Sequence, residues 1–335
     1  MNELTNILSL KNCDIGYRSG KNSTILLEDI SLDLDTSNLI ALIGLNGSGK
    51  SSLLKTIVNL LGSLKGEINI SGRNINEYSI GEIARLIGYV KANWQPEENM
   101  TVEELIRLGR YPFTNLFGQL DESDMEIVEQ SIYKLSLVEL RNRPLAQISD
   151  GERQRAMLAR VFAQQTKIVV LDEPTAFLDV QHKYEIISRL RMLCDNGITV
   201  IFSTHDIQLA SYFADRFWLI QNKNILDGAP EDIFLNGSMA RLFSSSDVDF
   251  DDEIGNFIPK LSSDKSITLV YDEKLGLVAK WTKKALFRKG FSIQEKLSDD
   301  PYINIVQETH KLVWNLHLGN RTIQCYSILD LLNEL

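Results

Sequence analysis

The chain has 335 residues, 44% of them hydrophobic and 24% charged, and a net charge of −10. This composition belongs to a globular protein long enough for two domains with a sizeable core. The acidic balance leaves no global basic field for phosphate backbones, so nucleic acid is not an expected partner.

Three separated cysteines, Cys13, Cys194 and Cys325, fit no metal spacing and suit buried thiols in a reducing compartment. No basic leader with an apolar stretch opens the chain, and no apolar run reaches eighteen residues. The expectation is therefore a protein neither exported by a signal nor spanning a membrane.

In chain order, residues 7–10 and 25–32 read as antiparallel strands around a turn at 18–23. Tyr17 stands where the first strand enters that turn, and by residue type alone it is a half-buried strand tyrosine. Residues 39–43 are an apolar run, and residues 52–58 carry helical spacing. Between them lies Gly44-Leu45-Asn46-Gly47-Ser48-Gly49-Lys50-Ser51, which fits the G-x-x-x-x-G-K-[ST] phosphate-binding loop in the strand-to-helix context it needs. Its glycines let backbone N–H groups turn towards a phosphate chain at a helix N-terminus. Lys50 is placed to reach the β- and γ-phosphates and Ser51 to ligate Mg²⁺, with Ser52 beside them.

A strand and turn at 66–72, a polar helix at 80–85 and a strand at 87–90 come next. A helical lobe begins near residue 92, has a capping-box-like Thr101-Val102-Glu103-Glu104, and runs to about 160. Within it, Ser149-Asp150-Gly151-Glu152-Arg153-Gln154 opens a helix, whose first N–H groups lack internal partners and suit an anion. The β-branched run 168–171 ends in Asp172-Glu173-Pro174-Thr175. Two carboxylates at the carboxyl end of a buried strand are costly unless they meet a cation or water, and ligands bind at that edge of open α/β sheets. Asp172 is placed to hold Mg²⁺ and Glu173 to polarise an attacking water. After Asp179, a helix puts Ile186, Ile187, Leu190 and Leu193 on its inner side; the strand 198–202 then leads to Ser203-Thr204-His205-Asp206 at the same edge.

The P-loop, the Ser149-Asp150-Gly151-Glu152 turn, Leu171-Asp172-Glu173-Pro174 and Ser203-Thr204-His205-Asp206, in that order, resemble the ATP-binding cassette ATPases. The resemblance implies an α/β cassette with a mixed sheet, an antiparallel β subdomain and a helical lobe. It also implies a head-to-tail dimer of two copies, each ATP lying between one P-loop and the other copy's signature turn. It further implies that Tyr17 stacks on adenine, that Ser149 and Gly151 with Glu152 hold the γ-phosphate across the dimer, and that Asp150 replaces a usual glycine. Glu173 is then the catalytic base, Asp172 the Mg²⁺ carboxylate, Asp179 the loop aspartate between sites, and His205 the γ-phosphate switch, with Lys50 completing the catalytic set.

One position departs from the family. Where a proline and a glutamine normally follow the strand at 88–90, this chain has Lys91 and Ala92, and only Gln95 could substitute. Hydrolysis with altered coupling is the expectation, and ATP binding without catalysis the alternative. Leu108-Gly109-Arg110-Tyr111-Pro112-Phe113 with Phe117-Gly118 resembles the lobe of cassettes serving importers of iron chelates, haem and cobalamin. That resemblance implies a cytoplasmic ATPase at the inner face of the membrane, docked on a permease dimer and served indirectly by a substrate-binding protein. A soluble cassette acting on nucleic acid or ribosomes is the rival, and the chain lacks the paired cassettes, coiled coil or basic surface such proteins carry. Asn222-Lys223-Asn224-Ile225 lacks the aspartate of a guanine-reading loop.

The expected domains are the cassette at 1–243, an acidic linker at 244–265 and a small α/β accessory domain at 266–335. The last shows no catalytic constellation, and His310 and His317 stand apart without expected partners. Its role is expected to be regulatory, dimer-stabilising or simple packing.

Overall fold

The computed structural model describes residues 6–20, 22–92, 94, 99–114, 118–243, 248–251, 256–260, 265–294, 301–308 and 311–335. The chain divides into two compact units, Met1–Ser246 with Phe250–Phe257, and Asp247–Asp249 with Ile258–Leu335.

The first unit opens with the long antiparallel strands β1 (Asn6–Ser19) and β2 (Asn22–Asp35). Then follow β3 (Leu39–Ile43), α1 (Lys50–Ile57), β4 (Lys65–Ile70), β5 (Arg73–Asn74), α2 (Ile80–Leu86) and β6 (Ile87–Val90). Helices α3 (Val102–Arg107), α4 (Glu122–Lys134) and α5 (Asp150–Gln164) precede β7 (Ile168–Leu171), α6 (Val180–Asp195) and β8 (Thr199–Ser203). The unit continues through α7 (Ile207–Phe213), β9 (Arg216–Gln221), β10 (Asn224–Gly228), α8 (Pro230–Leu235) and α9 (Ser238–Leu242).

Two sheets result. One has the order β2-β1-β4-β5 and the other β10-β9-β3-β8-β7-β6, parallel from β9 to β6 with β10 antiparallel at the edge. The second explains why its strands are unbroken apolar runs, since both of its faces are covered. Successive side chains point to opposite faces, so Leu39, Ala41, Ile43, Val169, Leu171, Val200 and Phe202 join one buried cluster. Ile40, Leu42, Ile168, Val170, Ile201 and Trp218 join the other, with β1, β2 and α1. Full burial of such side chains stabilises the fold by about 1.5–3 kcal/mol each relative to exposure.

The lobe is helical, yet it does not have a core of its own. Val102, Leu105, Ile106, Val128 and Ile132 share the cluster that contains Val169 and Leu171. The described part of the acidic stretch holds a two-stranded ribbon, β11 (Val248–Asp251) and β12 (Asn256–Pro259). Phe250 stacks on Phe234 with centroids 5.5 Å apart, and Phe257 lies 4.1 Å from the Phe243 ring. Two aromatics give this charged segment an apolar side, which its charge pattern conceals.

The second unit orders its sheet β14-β13-β15-β16-β17, from β13 (Lys265–Tyr271), α10 (Gly276–Arg288), β14 (Phe291–Gln294), β15 (Tyr302–Glu308), β16 (Lys311–Leu318), β17 (Arg321–Cys325) and α11 (Ile328–Glu334). Strand β13 pairs parallel with β14 and β15, and the remaining pairs are antiparallel. Its own core includes Ile267, Leu286, Ile303, Trp314, Leu316 and Leu331, and the Trp314 indole N–H donates to Thr282 at 2.9 Å. Contrary to expectation, His317 has partners: it stacks on Tyr302 at 4.1 Å, and its Nδ1 lies 3.0 Å from the Thr322 hydroxyl. Register places Tyr302 opposite His317, which the sequence could not show. His310 lies outside the described residues. Among the described residues no helix is long and apolar enough to cross a membrane.

Candidate functional site

The P-loop leaves β3 and enters α1 through Gly47 at φ 77° and Gly49 at φ 107°, a region that side chains rarely adopt. At Gly44 the constraint is space, since a Cβ would stand 2.7 Å from the Ser48 hydroxyl. Lys50 is only 6% exposed, and its ammonium donates to the carbonyls of Gly44 at 2.8 Å and Leu45 at 3.3 Å. Burial lowers its pKa, an effect partly offset by the carboxylates of Glu173 and Asp172. Ser51 in the first turn is exposed. Ser52 is buried, and its hydroxyl lies 2.8 Å from that of Tyr17, whose ring remains 46% exposed.

Register assembles the facing wall. Leu42 pairs with Ser203, Leu171 with Phe202 and Val90 with Leu171, so the ends of β3, β8, β7 and β6 arrive level. Asp172, the next residue after β7, is therefore beside Ser203. The Ser203 hydroxyl donates to Asp172 Oδ1 at 2.7 Å and accepts from the Glu173 N–H at 2.8 Å. Glu173 takes a left-handed backbone conformation, φ 52°, which a non-glycine residue adopts only at a cost. Its Oε1 lies 2.9 Å from Nε2 of His205. Asp206, next to it, caps α7 and accepts from Lys183 at 3.0 Å.

The signature turn is a complete capping box on α5. The Ser149 N–H and hydroxyl donate to Glu152 Oε2 at 2.8 and 2.9 Å, and the Glu152 N–H donates back to Ser149 at 3.3 Å. These bonds hold the Glu152 carboxyl below the usual carboxylate range. Gly151 is buried against a residue the sequence reading overlooked: a Cβ there would meet His182 at 2.8 Å. His182 is in turn held by Asp179, whose Oδ1 accepts the His182 N–H at 2.9 Å and lies 2.8 Å from Nδ1. Asp179 thus caps α6, and its carboxyl is held low by those two bonds.

The structure brings Lys50, Asp172, Glu173 and His205 together. Among the described residues of one chain, it places no hydrogen bond or ion pair between Ser149–Glu152 and Gly44–Ser52. A cavity of about 470 Å³ is lined by Asp172, Glu173, Asp150, Lys91, Ala92 and Trp94. Ala92 therefore borders the acidic pair but offers no side-chain donor to it; Gln95 lies outside the described residues.

Two residues escaped the sequence reading because each acts through a partner distant in the chain. Ser203 stood inside the Ser203-Thr204-His205-Asp206 motif with no role of its own, and His182 had no signal beyond lying three positions after Asp179. Ser51 and Asp172 offer the oxygen donors that Mg²⁺ takes alongside substrate phosphates. No group of three or more His, Cys, Asp or Glu residues among those described could cage a metal unaided.

A parallel sheet with a P-loop at one strand and an acid–histidine pair at its neighbours defines a P-loop nucleotide-binding cassette. The sequence matches the ABC transporter family over residues 27–176 and the iron ABC transporter C-terminal domain over residues 265–335. It is 35% identical over 227 residues to the achromobactin transport ATP-binding protein of Dickeya dadantii, covering 67% of this chain and 84% of that protein. With the ferric enterobactin transport ATP-binding protein of Escherichia coli it shares 32% over 229 residues, 68% of this chain and 84% of the relative. A solved structure described as a metal-chelate type ABC transporter, inward-facing, superposes with a TM-score of 0.62 at 26% identity over 71% of this chain and 89% of that one. The chain belongs to the ATP-binding proteins of the ABC transporter family.

Proposed function

We propose that the chain is the ATP-hydrolysing subunit of an importer for an iron chelate, haem or cobalamin, working as a homodimer docked on a permease at the inner face of the membrane. The observation that carries this reading is the contact of Glu173 with His205 beside Asp172, at the strand ends that face the P-loop. Substrate class is supported by the named relatives and by the iron transporter family matched at 265–335.

In this reading Lys50 leaves the Gly44 and Leu45 carbonyls for the β- and γ-phosphates, exchanging two neutral acceptors for anionic ones. Tyr17 stacks its exposed ring on adenine while Ser52 holds its hydroxyl. Ser51 and Asp172 would hold Mg²⁺, which would supply neutralisation of charge on the phosphates. Glu173 orients a water towards the γ-phosphorus; a bond forms from the water oxygen to phosphorus, the β–γ bridging bond breaks, and the water's proton passes to Glu173 as ADP leaves. His205 steadies Glu173 and the γ-phosphate. Ser149 and Gly151 of a second copy close the site, and Asp179 lies between the two sites.

Ala92 favours a second reading, nucleotide binding with weak or no hydrolysis, because it borders Asp172 and Glu173 without a polar side chain. Uptake of a radiolabelled ferric chelate by cells carrying the cognate permease tests the main reading. Wild-type chain should support uptake and Lys50→Ala abolish it. Unchanged uptake with Lys50→Ala would overturn the proposal.

A further inference from the structure

Ser203 ends β8 with no exposed surface, and its one hydroxyl serves two groups of the site. A backbone N–H can only donate, so the hydroxyl must accept from Glu173, and its single proton goes to Asp172 Oδ1. Asp172 Oδ2 accepts no hydrogen bond from the described residues. The serine thus fixes one carboxylate oxygen and leaves the other for a ligand. It also pins the N–H of a residue whose φ of 52° needs outside support.

We propose that Ser203 is the positioning residue of the metal–nucleotide site, setting the Asp172 carboxylate for the divalent cation and the Glu173 backbone for the water. The proposal rests on the reading that this site takes Mg²⁺ with ATP. Carboxylates that ligate metals are themselves oriented by hydrogen bonds, and loss of such a partner typically costs about 10–100-fold in metal affinity or activity. Register supplies the cause: β7 and β8 pair so that Asp172 and Ser203 fall side by side. Only a small side chain with both a donor and an acceptor serves both groups in a site with no exposed surface.

The test uses the full chain carrying Glu173→Gln, which uncouples binding from hydrolysis, and reads a fluorescent ATP analogue against Mg²⁺ concentration and in EDTA. Ser203→Ala should raise the Mg²⁺ midpoint about 10–100-fold while leaving binding in EDTA unchanged. Ser203→Thr and Ser203→Val have the same shape and differ in the hydroxyl, so Thr should track the parent and Val should track Ala. An unchanged midpoint in Ser203→Ala and Ser203→Val, or an equal loss in EDTA, would overturn the assignment, the second result marking a purely structural serine. A parent that binds the analogue nowhere would overturn the nucleotide reading itself and the role of Ser203 with it.

Discussion

At the scale of single residues, the site is held by side chains that occupy one another's space. Gly151 lies in a helix, where alanine ordinarily gains about 0.5–1 kcal/mol over glycine. Here the added Cβ would come within 2.8 Å of the His182 ring, itself tied to Asp179. Gly151→Ala should therefore destabilise the protein by about 1–3 kcal/mol as an overpacked contact. In a thermal double-mutant cycle His182→Ala should recover most of that loss; purely additive effects would refute the contact.

Cys194, buried in α6, makes stability depend on pH. Burial pushes its thiol up to about 12, far above the unfolded value of about 8.5. The folded state therefore keeps the proton that the unfolded state loses, so this contribution is full below about 8.5 and is lost as pH rises towards 12. At pH 8 an alkylating reagent should label Cys194 only in urea, and rapid labelling of the native chain would contradict the burial.

At the scale of elements, contiguous motifs were legible and pairings were not. The P-loop and Asp172-Glu173 could be read because strand, turn and ligand groups are adjacent in sequence. Ser203 could not, because its role depends on the register of β7 against β8. Arg110 was legible only as part of a family resemblance. In the fold its buried guanidinium donates to Asp124 at 2.8 Å and to the Ala163 carbonyl near the end of α5 at 2.8 Å, which gives that motif a structural reason. Gly109 beside it has a Cβ position 2.2 Å from the Arg160 carbonyl, so only glycine lets this segment lie against α5.

The ribbon was missed because acidic residues outweigh two phenylalanines in any reading by composition. Its docking depends on Phe257, which packs on Phe243 and Phe250 and also lines a cavity with His205 and Asp206. Phe257 is half-buried, so Phe257→Ala should cost about 1–3 kcal/mol, below the ~3–5 of a fully buried ring. Exchange of the Asn256, Phe257 and Ile258 amides should quicken in that variant, and unchanged protection would show that the ring does not hold the ribbon.

At the scale of the whole molecule, each unit has its own buried cluster, and every residue proposed for the nucleotide site belongs to the first unit. Calorimetry should resolve two transitions, of which only one moves with ATP. At a hundredfold excess over Kd that shift corresponds to about 2.7 kcal/mol. Equal displacement of both transitions would mean that the units do not unfold separately.

Glu173 and His205 are proposed to make this cassette an ATPase although Ala92, beside Asp172 and Glu173, has no polar side chain. Phosphate release by the full chain with Mg²⁺ and ATP, wild type against Glu173→Gln, tests it most directly. A positioned base contributes about 10²–10⁴-fold, so the variant should fall by that factor while still binding ATP. Equal rates in the two proteins would contradict the claim.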